Sequence, residues 1–504
     1  MLSRILGRLS LCLMSVYLCC MLYPVQNSTC LISGRRLPFG MVLRESSEER
    51  HGMNQKTGNT IQKPGDRRQN LEYCPSSCGL LIPSLLVFLL LTMTTSSWAG
   101  IEALPHPVIP NGFGVNIHFT GEPRDLDMIA AAGFKVIRMD LVWSRIERAK
   151  GVYDFNRSGY DALTKGCTER GIHILYILDY SNTLYESDRS VRTDAGRKAF
   201  AAFAGAAAKR YAGKGILWEI WNEPNLRHFW SPQPSAEDYC KLLEATVGRI
   251  RQADPTGQIV AGATSQIPLD WFEECFKRGM LKWIDILSVH PYRSHAPETV
   301  IADYAKLREL IRRYLPEGKD MPIISGEWGY SNLNWDKSRL SEQEQAQYLA
   351  RMFLINLYQG IPISIWYDWK NDGTNPNERE HQFGTVRHDL KPKPAYRAVK
   401  VLSSTLAGYS IVEKLDLGNE EDFAFKLTKG PGEAIVFWTL GGRHEVTLPV
   451  EPTEVTRVDM DGDKVRIRWR TGNLKLRAEQ TPQYLLIQPK DPTIPRATIR
   501  ELTK

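Results

Sequence analysis

The chain has 504 residues, 42% of them hydrophobic, with 38 Gly and 29 Pro, enough for a large core plus a smaller unit and without the composition of a low-complexity protein. Its formal charge is +7, but residues 1–100 hold ten Lys/Arg against five Asp/Glu, so +5 of the excess lies there and +2 (7 − 5) remains for the rest. A basic nucleic-acid-binding face is therefore not expected.

Residues 1–100 read as a leader outside the mature fold. They contain six of the nine cysteines (Cys12, Cys19, Cys20, Cys30, Cys74, Cys78) and two short apolar runs, 9–23 and 80–93. Each run is shorter than the ~20 residues of a membrane-spanning helix. The second ends in Thr94-Thr95-Ser96-Ser97-Trp98-Ala99, with Ser97 and Ala99 at the small-residue positions of an export-signal cleavage site and Lys63, Arg67 and Arg68 upstream. Secretion or periplasmic export with a mature start near Gly100 is expected, an uncleaved membrane anchor being the alternative. The three cysteines beyond the leader, Cys167, Cys240 and Cys275, make no metal motif and no disulfide framework beyond a single Cys240 to Cys275 bridge.

From residue 101 to 408 short β-prone runs alternate with amphipathic helical runs. Strands are expected at 112–119, 135–142, 173–179, 216–221, 258–263, 285–290, 322–326 and 363–367, and helices at 197–211, 236–252, 298–314, 342–359 and 394–406. Ser235 and Ser341 stand where N-caps belong, and Gly360 and Gly408 where helices stop. Strand and helix in alternation imply a parallel sheet, and eight strands over roughly 250 to 300 residues imply a (β/α)8 TIM barrel, the α/β class. The first strand lacks the glycine-rich turn of a dinucleotide-binding sheet. Residues 409–504 change to strict alternation at 423–427, 434–439, 444–448, 465–469 and 483–487, a small antiparallel, β-sandwich-like accessory domain. Asp459-Met460-Asp461-Gly462-Asp463 suits a hairpin turn better than a calcium loop, whose twelve-residue spacing it lacks.

Two of the barrel strands end in a glutamate. Ile216-Leu217-Trp218-Glu219-Ile220-Trp221-Asn222-Glu223-Pro224-Asn225 is an apolar run stopped by Pro224 just after Glu223, and Pro322-Ile323-Ile324-Ser325-Gly326-Glu327-Trp328-Gly329 repeats the construction around Glu327. The carboxyl ends of barrel strands share one face. Two carboxyl groups there supply what glycosidic cleavage requires, a protonated acid beside the leaving oxygen and an ionised group below the anomeric carbon. Trp218, Trp221 and Trp328 are suited to a sugar platform, and Trp143, Trp230, Trp335 and Trp369 follow strand candidates, where packing or stacking would occupy them. Reading the remaining strand ends adds His118, Arg138, Asp140, Asp179, Ser265, His290, Tyr292 and Trp366. Arg138 and Tyr292 fit the task of stabilising Glu327 as a carboxylate, Asn222 that of donating to the sugar 2-hydroxyl, and His118 and His290 that of bonding sugar hydroxyls or the nucleophile. No zinc spacing surrounds His290 and His295, and this chemistry needs neither metal nor cofactor.

This set resembles the clan A retaining glycoside hydrolases. Trp221-Asn222-Glu223-Pro224 matches their strand-four motif, His290-Pro291-Tyr292 their motif after strand six, and Trp366 their aromatic floor after strand eight. With Gly114-Val115-Asn116-Ile117-His118 it is most similar to glycoside hydrolase family 39, in particular bacterial endoglycosidases of secreted biofilm polysaccharide. The resemblance covers roughly residues 112–408 and implies Glu223 as acid/base, Glu327 as nucleophile, and a polysaccharide or oligosaccharide substrate cleaved from within. An exo-acting β-xylosidase or cellulase-like enzyme, and a barrel that binds glycan without cleaving it, are the alternatives.

Overall fold

The computed structural model of the protein describes residues 104–334 and 336–487. The expected leader with its expected cleavage site, and Trp335, lie outside the described residues. Eight parallel strands close a barrel: β1 (Phe113–Asn116), β2 (Val136–Val142), β5 (His173–Asp179), β6 (Leu217–Ile220), β7 (Gln258–Ser265), β8 (Ile286–His290), β9 (Ile323–Trp328) and β10 (Ser364–Trp366), with β1 paired to both β2 and β10. All eight coincide with expected strands. A hairpin of β3 (Glu147–Ala149) and β4 (Val152–Tyr153) decorates the loop after β2.

Alternation along these strands sorts the side chains. Val136, Leu175, Ile177, Leu217, Val260, Ile286, Ile324, Ile363 and Ile365 fill the barrel interior, while the opposite phase meets the surrounding helices in a larger core. Phe113 of β1 stacks on Phe353 of a helix at 4.2 Å between ring centroids, and burying a side chain of this kind contributes roughly 1.5–3 kcal/mol. The expected helices appear as Asp194–Arg210, Ala236–Ala253, Val300–Tyr314, Glu342–Tyr358 and Pro394–Thr405. Ser235 caps the second through Asp238 N at 3.1 Å, and Ser341 with Glu344 forms a reciprocal capping box on the fourth. Three shorter helices, Pro123–Ala132, Tyr160–Thr168 and Leu269–Lys277, were not expected, because nine or ten residues carry too few apolar repeats to stand out. Among the described residues no helix is long and apolar enough to cross a membrane.

Beyond the barrel, β11 (Ser410–Leu415), β12 (Asp422–Lys429), β13 (Gly432–Thr439), β15 (Glu454–Val458), β16 (Lys464–Arg468) and β18 (Gln483–Ile487) form one antiparallel sheet in the order β11-β12-β13-β18-β15-β16, and β14 (His444–Leu448) pairs with β17 (Leu474–Ala478). The sheet has two apolar faces. Ala424, Ile435, Phe437 and Leu485 meet Val446, Leu448 and Leu474 of the two-stranded ribbon. Phe423, Phe425 and Trp438 join the barrel's core, with Phe425 4.8 Å from the Tyr358 ring. Strands β11, β15 and β17 escaped the sequence reading because charged residues such as Glu413, Lys414 and Arg457 interrupt their few apolar positions. Asp459 to Asp463 is the turn joining β15 to β16, closed by Asp459 N to Asp463 O at 3.1 Å. Cys167, Cys240 and Cys275 are buried free thiols, with Cys240 Sγ 3.8 Å from the Cys275 carbonyl rather than bridged.

Candidate active site

Arg138 organises the mouth of the barrel. It lies in phase with interior Val136 on β2, so its guanidinium points into the barrel, 1% exposed. A buried cation needs partners for all its donors, and five groups supply them. Nε donates to Glu219 Oε2 at 2.7 Å, Nη1 to Glu327 Oε2 at 2.5 Å and Asn116 Oδ1 at 3.3 Å, and Nη2 to Asn222 Oδ1 at 2.8 Å and His290 Nε2 at 3.3 Å. Glu219 and Asn116 were not singled out from sequence. A signal existed: Glu219 sits alone in an apolar strand and in phase with interior Leu217, a position that requires a buried counter-ion.

Glu327 faces inward because β9 bulges. Ser325 pairs with Ser364 and Trp328 with Trp366, so Gly326 and Glu327 together oppose the single Ile365, and a bulge of this kind re-aims a side chain. A side chain at residue 326 is excluded, since a Cβ there would stand 2.2 Å from Ser288 Oγ and 3.2 Å from Glu219 Oε1. Both oxygens of Glu327 are served, Oε2 by Arg138 and Oε1 by the Tyr292 hydroxyl at 2.8 Å.

Glu223 is placed by an unusual backbone. Trp221 and Glu223 hold φ values of 72° and 45°, the left-handed region that costs a non-glycine residue of order 1–3 kcal/mol and persists only where its surroundings enforce it. Enforcement comes from Glu223 N to Ala263 O at 2.8 Å, Trp221 N to Leu178 O at 3.1 Å and Trp221 Nε1 to Phe229 O at 3.0 Å. Burial of its carboxyl raises the Glu223 pKa from 4.5 to about 7, outweighing the opposing influence of Arg138, Ser265 and His228. Neighbouring His290 goes the other way. Complete burial holds it down to about 4 and hence neutral near pH 7, against the pull of Glu327 and Glu219. Arginine can only donate, so Nε2 of His290 is an acceptor and Nδ1 carries the proton, directed at Glu223 Oε1 3.1 Å away. A carboxylate oxygen each of Glu223 and Glu327 and a ring nitrogen of His290 lie within 4.8 Å of one another.

The other expected site residues divide. Asn222 is bound on both sides, with Nδ2 donating to the Tyr180 hydroxyl at 3.1 Å and a second amide hydrogen left for a ligand. His118 stands at the rim, a third exposed, with Nδ1 3.1 Å from Asp372 Oδ1 and 3.7 Å from Asp368 Oδ2. Burial would lower its pKa, but Asp372, Asp368 and Asp140 raise it to about 9. Asp368 is itself buried, with one oxygen lacking a hydrogen-bond partner among the described residues and its pKa pushed well above the carboxylate range by burial.

The aromatic expectation needs correction. Trp218, Trp221, Trp328 and Trp366 are each 0% exposed, and Trp143, Trp230 and Trp369 are core residues as well. Trp218 and Trp366 fall in the phase opposite to interior Leu217 and Ile365 and so point to the helix layer. Trp328 is covered by the Arg293 guanidinium and by Tyr330. The partly exposed aromatic wall near the glutamates is instead Tyr180 stacked on Phe229 at 5.9 Å, with the Arg189 guanidinium 3.9 Å from the Tyr180 ring. Its residues lie in loops after β5 and β6, where no periodic signal marks a side chain as functional.

The family model for cellulase (glycosyl hydrolase family 5) matches residues 102–373. A beta-xylosidase of Geobacillus stearothermophilus is 33% identical over 92 residues, 18% of each chain. One from Caldicellulosiruptor saccharolyticus is 26% identical over 209 residues, 37% of this chain and 40% of that protein. The chain thus matches well under half the length of these curated relatives. Among solved structures, a family 39 glycoside hydrolase from the gut symbiont Bacteroides cellulosilyticus WH2 superposes with a TM-score of 0.67 at 25% identity, covering 77% of this chain and 83% of that one. The GH39 beta-xylosidase from Caulobacter crescentus shares the fold at 16% identity, with a TM-score of 0.57 over 77% of this chain and 98% of its own.

Proposed function

The chain belongs to the clan A glycoside hydrolases, within the cellulase (glycosyl hydrolase family 5) family and GH39-like in structure, and on that premise we propose that it hydrolyses O-glycosidic bonds of a polysaccharide with retention of anomeric configuration. The observation that carries the reading is the pair of glutamates with carboxylate oxygens within 4.8 Å. Retaining enzymes hold the two groups about 5–5.5 Å apart, and inverting ones about 6.5–9.5 Å, which leaves room for water. Glu327, its oxygens oriented by Arg138 and Tyr292, attacks the anomeric carbon. Glu223, protonated below about pH 7, passes its proton to the departing oxygen and then takes one from the water that releases the glycosyl-enzyme. His290 supports this from behind: its Nδ1–H occupies Oε1 of Glu223, which leaves Oε2 to carry the transferred proton.

The substrate is proposed as a polysaccharide cut internally by an exported enzyme, in keeping with the leader's signal-like runs. The half-buried Tyr180–Phe229 wall supports an oligosaccharide on the acid/base side. The beta-xylosidases among the relatives favour a second reading, exo-cleavage of β-xylosides. Product profiling separates the two, since internal cleavage yields a ladder of oligosaccharides and exo action yields monosaccharide alone. The catalytic assignment is tested by Glu223→Ala and Glu327→Ala on aryl glycosides. The first should lose turnover of poor leaving groups and recover with azide as a glycosyl azide of retained configuration. The second should be dead on every substrate. Azide rescue of Glu327→Ala in place of Glu223→Ala would reverse the roles, and wild type that binds a polysaccharide without producing reducing ends would favour a glycan-binding barrel. N-terminal sequencing of the exported protein, expected to start near Gly100, tests the leader against a retained membrane anchor.

A further inference from the structure

Two aspartates at the mouth remain outside this mechanism. Asp140 follows Arg138 on the inward phase of β2, and Asp179 follows interior Leu175 and Ile177 on β5. The strands pair in register, Asp140 against Ile177 and Val142 against Asp179, so the two carboxyl groups share the barrel interior one layer above its apolar filling. Asp179 is 0% exposed and neither of its oxygens receives a hydrogen bond from a donor among the described residues. An ionised carboxylate left so would cost several kcal/mol.

The donors nearby are committed elsewhere. All five N–H groups of Arg138 are directed at Glu219, Asn116, Glu327, Asn222 and His290. The Tyr160 hydroxyl gives its proton to the Asp140 carbonyl at 2.8 Å. Arg189 lies over the Tyr180 ring with Nη1 3.2 Å from His228 Nε2. What does lie within hydrogen-bonding reach of Asp179 is the Asp140 side chain. Two carboxyl groups in contact share one proton, since both cannot ionise at that distance. The buried member keeps it. Consistently, burial first and then Asp140 drive the Asp179 pKa well above the carboxylate range, only partly opposed by Arg138 and Arg189. Asp140 is only half-buried, and no protein donor among the described residues reaches its carboxylate.

We propose that Asp179 is a buried carboxylic acid that donates its proton to Asp140, and that the pair presents the outer oxygen of Asp140 as an acceptor subsite for a hydroxyl of the sugar bound beside Glu223 and Glu327. Asp140 is then a binding residue and Asp179 a positioning residue acting through it. The subsite rests on the glycoside hydrolase reading, whereas the proton-sharing pair does not. The groups facing the pair are Arg138 from β2, Tyr160 from the helix Tyr160–Thr168, Tyr180 and Arg189 from the loop after β5, and His118 from the loop after β1.

The pair is read by infrared spectroscopy at pH 7 on the Glu223→Gln protein, which removes one other raised acid of the site and leaves Asp368 common to every variant compared. A protonated-carboxyl band that disappears in the further variant Asp179→Asn supports it, and an unchanged spectrum overturns it whether or not any substrate is known. The subsite is read by kinetics on 4-nitrophenyl β-D-xylopyranoside and its glucosyl, galactosyl and mannosyl counterparts. Asp140→Asn should lower kcat/KM roughly 10- to 100-fold, chiefly through KM. Asp179→Asn, which still donates to Asp140, should stay close to wild type, whereas Asp179→Leu, which cannot, should approach Asp140→Asn. Variants that lower the melting temperature while leaving KM unchanged, or an Asp179→Asn as impaired as Asp179→Leu, would overturn the proposal. Wild type inactive on all four glycosides and yielding no reducing ends from a panel of polysaccharides, while the infrared band is present, would overturn the subsite and the hydrolase reading but not the pair.

Discussion

Replacing Glu223 by glutamine should make the protein inactive on substrates with poor leaving groups and, above neutral pH, more stable. The folded-state pKa of about 7 lies above the ordinary 4.5 because burial penalises the ionised form. Unfolding lets that carboxyl ionise in water, so the residue is neutral toward stability below pH 4.5. It destabilises progressively as pH rises, and its penalty is complete above about 7. The interval from 4.5 to about 7 corresponds to on the order of 3 kcal/mol. Glutamine keeps the shape and an oxygen to accept the His290 Nδ1–H, but never ionises. Urea unfolding of wild type and Glu223→Gln should therefore give similar stabilities at pH 4.5 and diverge to roughly 2–3 kcal/mol in favour of the variant by pH 8.5. His290, neutral in the fold and charged on unfolding in acid, acts on both proteins alike and cancels in the difference. A gap that does not change with pH, or a variant less stable at pH 8.5, would refute the buried-acid argument, and with it the reason for assigning Glu223 the acid's part.

The barrel was legible because its signals are repeated: eight apolar runs of strand length, helices between them, and serines at cap positions that do cap. The two glutamates were legible for a related reason, each being a charge placed where an apolar strand stops, at Pro224 or at Gly329. What stayed hidden depends on departures from regular backbone. Glu327 faces inward only because one extra residue bulges β9, and Glu223 only because Trp221 and Glu223 adopt positive φ; neither follows from periodicity. The tryptophans misled for the converse reason. An aromatic ring beside a catalytic glutamate is suited to a sugar platform, yet alternation sends Trp218 and Trp366 to the helix layer. The partnership of Arg138 with Glu219, and of Asp140 with Asp179, joins residues on different strands whose register becomes known only when the barrel closes.

Three further outcomes follow. Tyr292→Phe removes the donor to Glu327 Oε1 and should lower kcat/KM on aryl glycosides by roughly tenfold or more with little change in melting temperature; an unchanged rate would mean the hydroxyl does not orient the nucleophile. Arg138→Lys offers three donors where five acceptors wait, so it should lose both activity and stability, and a variant with normal turnover would show the five-partner network to be dispensable. The junction of barrel and β-sheet gives the last test. Glu298 is buried between Arg351, which reaches its two oxygens at 2.7 Å each, and Trp438 Nε1 from β13 at 2.8 Å. Arg351→Ala would leave a carboxylate in that interior with the indole as its remaining donor, a change that typically costs about 3–5 kcal/mol. Replacing both charges, Arg351→Met with Glu298→Gln, should recover much of the loss, because the penalty belongs to the uncompensated charge rather than to the lost attraction. Unfolding that costs the single variant under about 1 kcal/mol, the range of an exposed ion pair, would mean that water reaches Glu298 and that the sheet is not sealed against the barrel as the buried Trp438 requires.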